Sequence, residues 1–301
     1  MMLPQRSLLR SVVLLLVVVG LAVGCGSSKK SSTTTTTGST STTSSKASAE
    51  VPSAIKSKGT ITVATDATYP PNEFIASNGK TVTGWDPELA QALGKVLGLK
   101  VKLVNATFAT IIPGIQSGKY GLSLSSFTDT KERQKVVDFV TYFTAGTSFY
   151  VKTSGGPTIN SLADLCGHSV GVETGTTQAD DAKAQNAKCK AAGKPGVNVA
   201  TYTDQSAANL AISSGRQQVG MADSPVAANI AKQSNGQFKV TGKSYNNAPY
   251  GIAIPKGNGM AKPVLDALKE LMSNGTYMKI LKKYSVQTGA IKNPTINGAI
   301  S

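Results

Sequence analysis

At 301 residues the chain exceeds the usual size of one compact core, which predicts two lobes plus targeting or linking segments. With 40% hydrophobic and 16% charged residues its composition is that of a globular protein, and a wholly disordered chain is excluded. Lys+Arg outnumber Asp+Glu 31 to 16, a formal charge of +15, and the single histidine, His168, removes multi-histidine metal sites and disfavours a histidine-based catalytic triad.

Arg6 and Arg10 precede the apolar run Val12 to Gly24, followed by Cys25, an order that reads as the charged, apolar and cleavage regions of an export signal. The run falls short of the ~18–20 residues a membrane-spanning helix requires. Ala22-Val23-Gly24-Cys25 resembles the lipobox of bacterial lipoproteins, with Ala22 in place of the commoner leucine. That resemblance implies a signal peptide over 1–24 and acylation of Cys25. From residue 31 to residue 45 every position but Gly38 is Ser or Thr, a composition that buries too little to offset the entropy of ordering. Residues 25–52 are therefore expected to be a tether holding a body that begins near Ser53 roughly 30 Å from its anchor. The basic residues are scattered and no nucleic-acid motif interleaves them with aromatics, so the expected neighbour is an anionic headgroup surface and not a nucleic acid. Cys166 and Cys189 remain as an even pair in an oxidising compartment and predict a disulfide. They lack further ligands for a metal site, so neither metal nor cofactor is expected.

In the body, strand patterns at Ile61–Thr65, Lys100–Val104, Ser169–Val172, Asn198–Tyr202 and Gly251–Ile254 alternate with helical ones, which predicts an α/β fold. The clearest helix opens with Asp86 as N-cap and Pro87 at N1, carries Leu89, Leu93, Val96 and Leu97 on one face, and stops at Gly98. Ile115-Gln116-Ser117-Gly118 leading to Leu122 recurs as Ile212-Ser213-Ser214-Gly215 leading to Met221, which suggests two lobes of like topology around a shared crevice.

Ala64-Thr65-Asp66-Ala67-Thr68-Tyr69-Pro70-Pro71, Gly84-Trp85-Asp86, Ser125-Ser126-Phe127-Thr128 with Arg133, Val170-Gly171-Val172-Glu173-Thr174-Gly175-Thr176-Thr177, Ala222-Asp223 and Asn274-Gly275-Thr276-Tyr277 follow one another in order. Over residues 54 to 285 this succession resembles the polar amino-acid family of solute-binding proteins that serve ATP-driven importers. The resemblance implies a two-lobed periplasmic-binding-protein-like clamp with a ligand cleft and two hinge crossings, near Thr144–Ser148 and Gly242–Pro249. Lobe 1 would comprise 53–145 and 246–290, lobe 2 would be 146–245, and 291–301 a tail. The partners it implies are an amino-acid ligand, the membrane subunits of an ABC permease and, through the lipid, the outer face of the cell membrane, with the chain acting as a monomer and not as an enzyme.

An amino-acid zwitterion buried in a cleft needs one cation and one anion as partners. Arg133, after the N-cap candidate Thr130, is placed to grip a carboxylate, and the resemblance assigns it the α-carboxylate. Asp223, before the helix start Ser224-Pro225, is assigned the α-ammonium group. Outside the family pattern, an ordinary salt bridge would account for Arg133 and a helix-leading acid for Asp223. Ser125, Ser126, Thr128, Thr176 and Thr177 would complete the shell. Tyr69 and Phe108 match positions that flank the ligand side chain, with core packing as the alternative. Asp66 and Glu173 place two carboxylates near one pocket, which favours arginine, lysine or ornithine, with glutamine or another polar amino acid as the alternative. Asn72 stands where relatives carry an aromatic and is expected to widen or rehydrate that wall. Two further functions stay open: a sensor module, and a dehydratase of cyclic prephenate-like acids with Glu173 as buried general acid.

Overall fold

The computed structural model describes residues 45–300. The signal segment, Cys25 and the tether through residue 44 lie outside the described residues.

The chain enters through two short helices, α1 (Lys46–Ala49) and α2 (Ser53–Lys56), and strand β1 (Thr60–Thr65). A side sheet of β2 (Thr68–Tyr69), β3 (Glu73–Ile75) and β4 (Val82–Thr83) follows, in that spatial order. Next come α3 (Trp85–Leu97), β5 (Lys100–Asn105), α4 (Phe108–Gln116), β6 (Leu122–Ser123) and α5 (Lys131–Gln134). The long strand β7 (Val137–Lys152) leads to β8 (Ser169–Glu173), α6 (Thr177–Ala191), β9 (Asn198–Tyr202), α7 (Gln205–Ser213), β10 (Val219–Asp223) and α8 (Ser224–Gln233). A second long strand, β11 (Phe238–Pro255), is followed by α9 (Ala261–Ser273) and α10 (Thr276–Lys283).

The main sheet has the order β5-β1-β6-β11-β7-β10-β8-β9. Its outer strands β5, β1 and β6 on one flank and β10, β8 and β9 on the other run parallel within each flank, as helical crossovers require. The antiparallel pair β7 and β11 runs from one lobe into the other, and the register of β11 slips between Thr241, Tyr245 and Ala248. These two slips fall at the expected crossing Gly242–Pro249 and interrupt the ladder there, and a third lies just beyond it between Tyr250 and Gly251.

Each lobe has its own core. In the first, the α3 stripe Leu89, Leu93 and Leu97 packs with Ile252, Ile254, Val264 and Leu268, all buried; each leucine so buried contributes ~1.5–3 kcal/mol. In the second, Phe149, Val151, Val170, Val172, Val219 and Met221 meet Ala179 and Ala182 of α6. The repeated motif is structural: Gly118 and Gly215 take φ of 75° and 77°, the left-handed turn that sends each helix into its next strand.

Two expectations change. Helix α3 begins at Trp85 with Gly84 as its cap, so Asp86 is not the N-cap. Gly84 sits at φ 126° where a Cβ would strike the Asn72 carbonyl oxygen, and this close backbone approach starts the helix early. The body already includes residues ahead of Ser53: Ser45 Oγ donates to the Val96 carbonyl at 2.7 Å, Ala47 and Val51 are buried, and Glu50 pairs with Lys262 at 2.7 Å. These two apolar side chains, with the Ser45 and Glu50 contacts, dock the segment on α3 and α9. The expected tail 291–301 is packed where it is described: Thr141 N donates to Thr295 O at 2.9 Å and Phe139 N to Asn297 Oδ1 at 2.8 Å, covering an edge of β7.

Cys166 and Cys189 form a disulfide, with Cα atoms 5.7 Å apart and a sequence separation of 23. It ties the segment before β8 to the last turn of α6. Replacing both cysteines by alanine is expected to lower unfolding stability by ~3 kcal/mol, read by urea titration under oxidising conditions. An unchanged midpoint would contradict a stabilising bridge.

Candidate functional site

Three carboxylates stand at the carboxyl ends of parallel strands, where an open α/β sheet builds its crevice. Asp66 follows β1, Glu173 ends β8 and Asp223 ends β10. All eleven residues singled out for the pocket (Asp66, Tyr69, Phe108, Ser125, Ser126, Thr128, Arg133, Glu173, Thr176, Thr177 and Asp223) line one cavity between the lobes, together with Glu73 and Gln178. Its walls have closed in, leaving a cavity volume of about 20 Å³, far below the ~300–1,000 Å³ of an open small-molecule site.

On the first lobe, Asp66 is buried and held at both oxygens: Oδ1 accepts from Thr68 Oγ1 at 2.7 Å, Oδ2 from the Phe108 amide at 2.8 Å. Burial, as the largest influence, raises its pKa above the ordinary carboxylate range. Phe108 stacks on Phe127 with centroids 4.2 Å apart, and the Arg133 guanidinium lies over both rings at 5.6 and 5.1 Å. Thr130 Oγ1 accepts from the Arg133 amide at 3.2 Å, the predicted cap. Arg133 Nη1 donates to Thr128 O at 2.8 Å and Nη2 crosses the cleft to Gly175 O at 3.0 Å, leaving further N–H groups of the fork for a ligand. Burial lowers the arginine to about 10, which keeps it charged at neutral pH.

On the second lobe, Thr176 caps α6, its Oγ1 accepting from the Ala179 amide at 3.2 Å and donating to Glu173 O at 2.7 Å. Thr177 is the first helical residue, and it and Gln178 of this first turn line the cavity. Asp223 accepts from Gln178 Nε2 at 2.8 Å and from Tyr250 Oη at 2.7 Å; burial pushes it up to about 6 against these bonds. Glu173 is 3% exposed and its Oε1 has no hydrogen-bond partner among the described residues. Burial first, then the neighbouring carboxylates of Asp66, Asp204 and Asp223, push it to about 9. The lobes are shut on each other: besides Arg133 to Gly175, the Asp223 amide donates to Tyr69 Oη at 2.8 Å and the Gln205 amide to Thr68 Oγ1 at 3.3 Å.

Asn72 does not widen the wall. It is fully buried, accepting from Trp85 Nε1 at 2.8 Å and donating Nδ2 to Ser126 Oγ at 2.9 Å. An amide here links the helix entrance to the turn beneath the cavity. Trp85 packs against Tyr142 and Phe143 away from the lining, as read from its place at the helix entrance. Sequence reasoning missed Gln178 and Glu73. Gln178 was within reach, since it lies in the first turn of a capped helix beside Thr177. Glu73 had no local signal.

The profile of the bacterial extracellular solute-binding proteins, family 3, matches residues 61–287. Among characterised relatives, the arginine-binding protein ArgT of Corynebacterium glutamicum is 31% identical over 250 residues, covering 83% of this chain and 82% of its own length. A solved ancestral arginine-binding protein bound to glutamine is 39% identical with a TM-score of 0.70, covering 76% of this chain and 98% of that one. An ancestral amino acid-binding protein described as a precursor of cyclohexadienyl dehydratase is 37% identical with a TM-score of 0.69, covering 77% and 97%. A profile match across most of the described body and relatives of this identity and coverage establish that the chain belongs to the bacterial extracellular solute-binding proteins of family 3.

Proposed function

We propose that this protein captures a free amino acid with a cationic side chain, arginine first, between its lobes and delivers it to the membrane subunits of an ABC importer. The observation that carries the reading is the Glu173 carboxyl, buried with one oxygen unpartnered in a cavity it shares with Asp66. An apolar or anionic ligand would leave that acid stranded, whereas a guanidinium supplies the donors it lacks.

In this reading Arg133, with the hydroxyls of Ser126, Thr128 and Thr177, takes the α-carboxylate. Asp223 takes the α-ammonium group, and Ser125 and Thr176 hold the two walls in place. Tyr69 and Phe108 flank the aliphatic stem, and Asp66 with Glu173 meets the distal cation. Ligand bridging the division between 53–145 with 246–290 on one side and 146–245 on the other would favour the shut form over the open one. The body would hang as a monomer from a lipid on Cys25 at the outer face of the membrane. Glutamine is the second reading, supported by the related ancestral protein bound to it.

The test is a thermal-shift panel of the common amino acids and ornithine on ligand-stripped protein, with prephenate turnover assayed alongside. Stabilisation by arginine, lysine and ornithine beyond all others, without turnover, is the expected result. Stabilisation by glutamine alone would move the reading to a neutral side chain, and turnover would move it to an enzyme.

A further inference from the structure

Beneath the Ser125–Thr128 turn two carboxyls are buried against each other with no cation beside them. Glu73, on β3, is 1% exposed and Asp86, in the first turn of α3, is 0% exposed. Among the described residues neither forms an ion pair. Two such groups cannot both ionise in so dry a place, so the pair holds at least one proton.

The hydrogen-bond directions say which carboxyl carries it. Asp86 Oδ2 collects the Ser126 amide at 2.9 Å and the Tyr142 hydroxyl at 2.8 Å, as an anion does. The Ser126 hydroxyl accepts from Asn72 and lies 3.1 Å from Asp86 Oδ2 and 3.3 Å from Glu73 Oε2. It has one proton to give. Once that proton goes to Asp86, the contact with Glu73 is satisfied only if Glu73 is the donor. The other Glu73 oxygen accepts from Ser125 Oγ at 3.2 Å, and that hydroxyl in turn holds the Asp66 amide at 2.8 Å. Burial, with Asp86 alongside, raises Glu73 well above the carboxylate range and leaves Asp86 at about 6, the same division. The network also bears a strained backbone: Ser126 sits at φ 51°, a left-handed conformation that a non-glycine residue holds only when its surroundings enforce it.

We propose that Glu73 and Asp86 are a one-proton acid pair, neutral at Glu73 and anionic at Asp86, that positions the Ser125–Thr128 turn and thereby sets the affinity for the carboxylate end of the bound amino acid. The proposal rests on the amino-acid reading above. Neutral Glu73 also keeps a further negative charge off the cavity wall, where it would repel a carboxylate.

The test uses the full chain and three substitutions, Glu73→Ala, Glu73→Gln and Asp86→Asn, each titrated with arginine and with glutamine. Glu73→Ala is expected to weaken both ligands by ~30-fold and Glu73→Gln to restore all but ~3-fold, because the amide donates to Ser126 Oγ as the protonated acid does. Asp86→Asn, which removes the anion, is expected to weaken both by ~100-fold. The difference infrared spectrum between wild type and Glu73→Gln should show loss of a protonated-carboxyl C=O stretch, a readout independent of whether Asp86→Asn folds. Glu73→Gln no better than Glu73→Ala, a silent Asp86→Asn, or a difference spectrum in which Glu73→Gln loses no carboxyl band would each overturn the proposal. Failure of the amino-acid reading would show separately, as wild type binding neither ligand.

Discussion

Asp223→Asn is expected to weaken binding of every α-amino acid by roughly 100- to 1000-fold whatever its side chain, since on the proposed reading it removes the buried partner of the ammonium group common to all of them. The Asp223 carboxyl is fixed by Gln178 and Tyr250, so it needs no reorganisation to meet a cation. Its amide touches Tyr69 across the cleft, so the residue also reports closure of the lobes. Isothermal titration of the variant with arginine and glutamine measures the loss. Losses of less than ~10-fold for both would remove Asp223 from the site, and loss for arginine alone would reassign it to the side-chain end.

Glu173→Gln should do something different: weaken arginine by ~100-fold while leaving glutamine within ~3-fold, because the distal cation loses its charge partner and a neutral amide does not. The same residue predicts a pH dependence. In the free protein Glu173 is pushed up to about 9, so it is protonated at neutral pH, and a cationic ligand must displace that proton. Arginine affinity therefore rises with pH from neutrality towards about 9, by up to tenfold per unit, and levels off above it. Glutamine affinity lacks this rise, and Glu173→Gln removes it for arginine. A flat arginine profile in wild type would mean that the acid is already ionised or faces no cation.

Much of this was legible because it is written locally. Strand β9 (Asn198–Tyr202) has the bounds read from its alternation, and α3 stops at Gly98 in the left-handed conformation its glycine predicts. Asp223 could be found because it stands where a strand gives way to a capped helix start, whereas Asp66 and Glu173 were pointed to by the resemblance to the family. What escaped depends on contacts between distant segments. Asp86 precedes a proline and reads as a cap, but the hairpin at Asn72 reaches Gly84 and moves the helix start, freeing the carboxyl to hold Ser126. Glu73 becomes intelligible only when β3, α3 and the turn after β6 meet. Ala47 and Val51 were hidden because they follow directly on the serine and threonine run, and their docking is decided by contacts with α3 and α9 that no local pattern displays.

The most direct measurement is isothermal titration of ligand-stripped wild type with arginine and with glutamine at neutral pH, in two buffers of different ionisation enthalpy. Capture of a cationic amino acid predicts one-to-one binding of arginine, tighter than glutamine by ~100-fold, with a proton released to buffer on binding arginine alone. Equal or tighter binding of glutamine, or arginine binding without proton release, would contradict it.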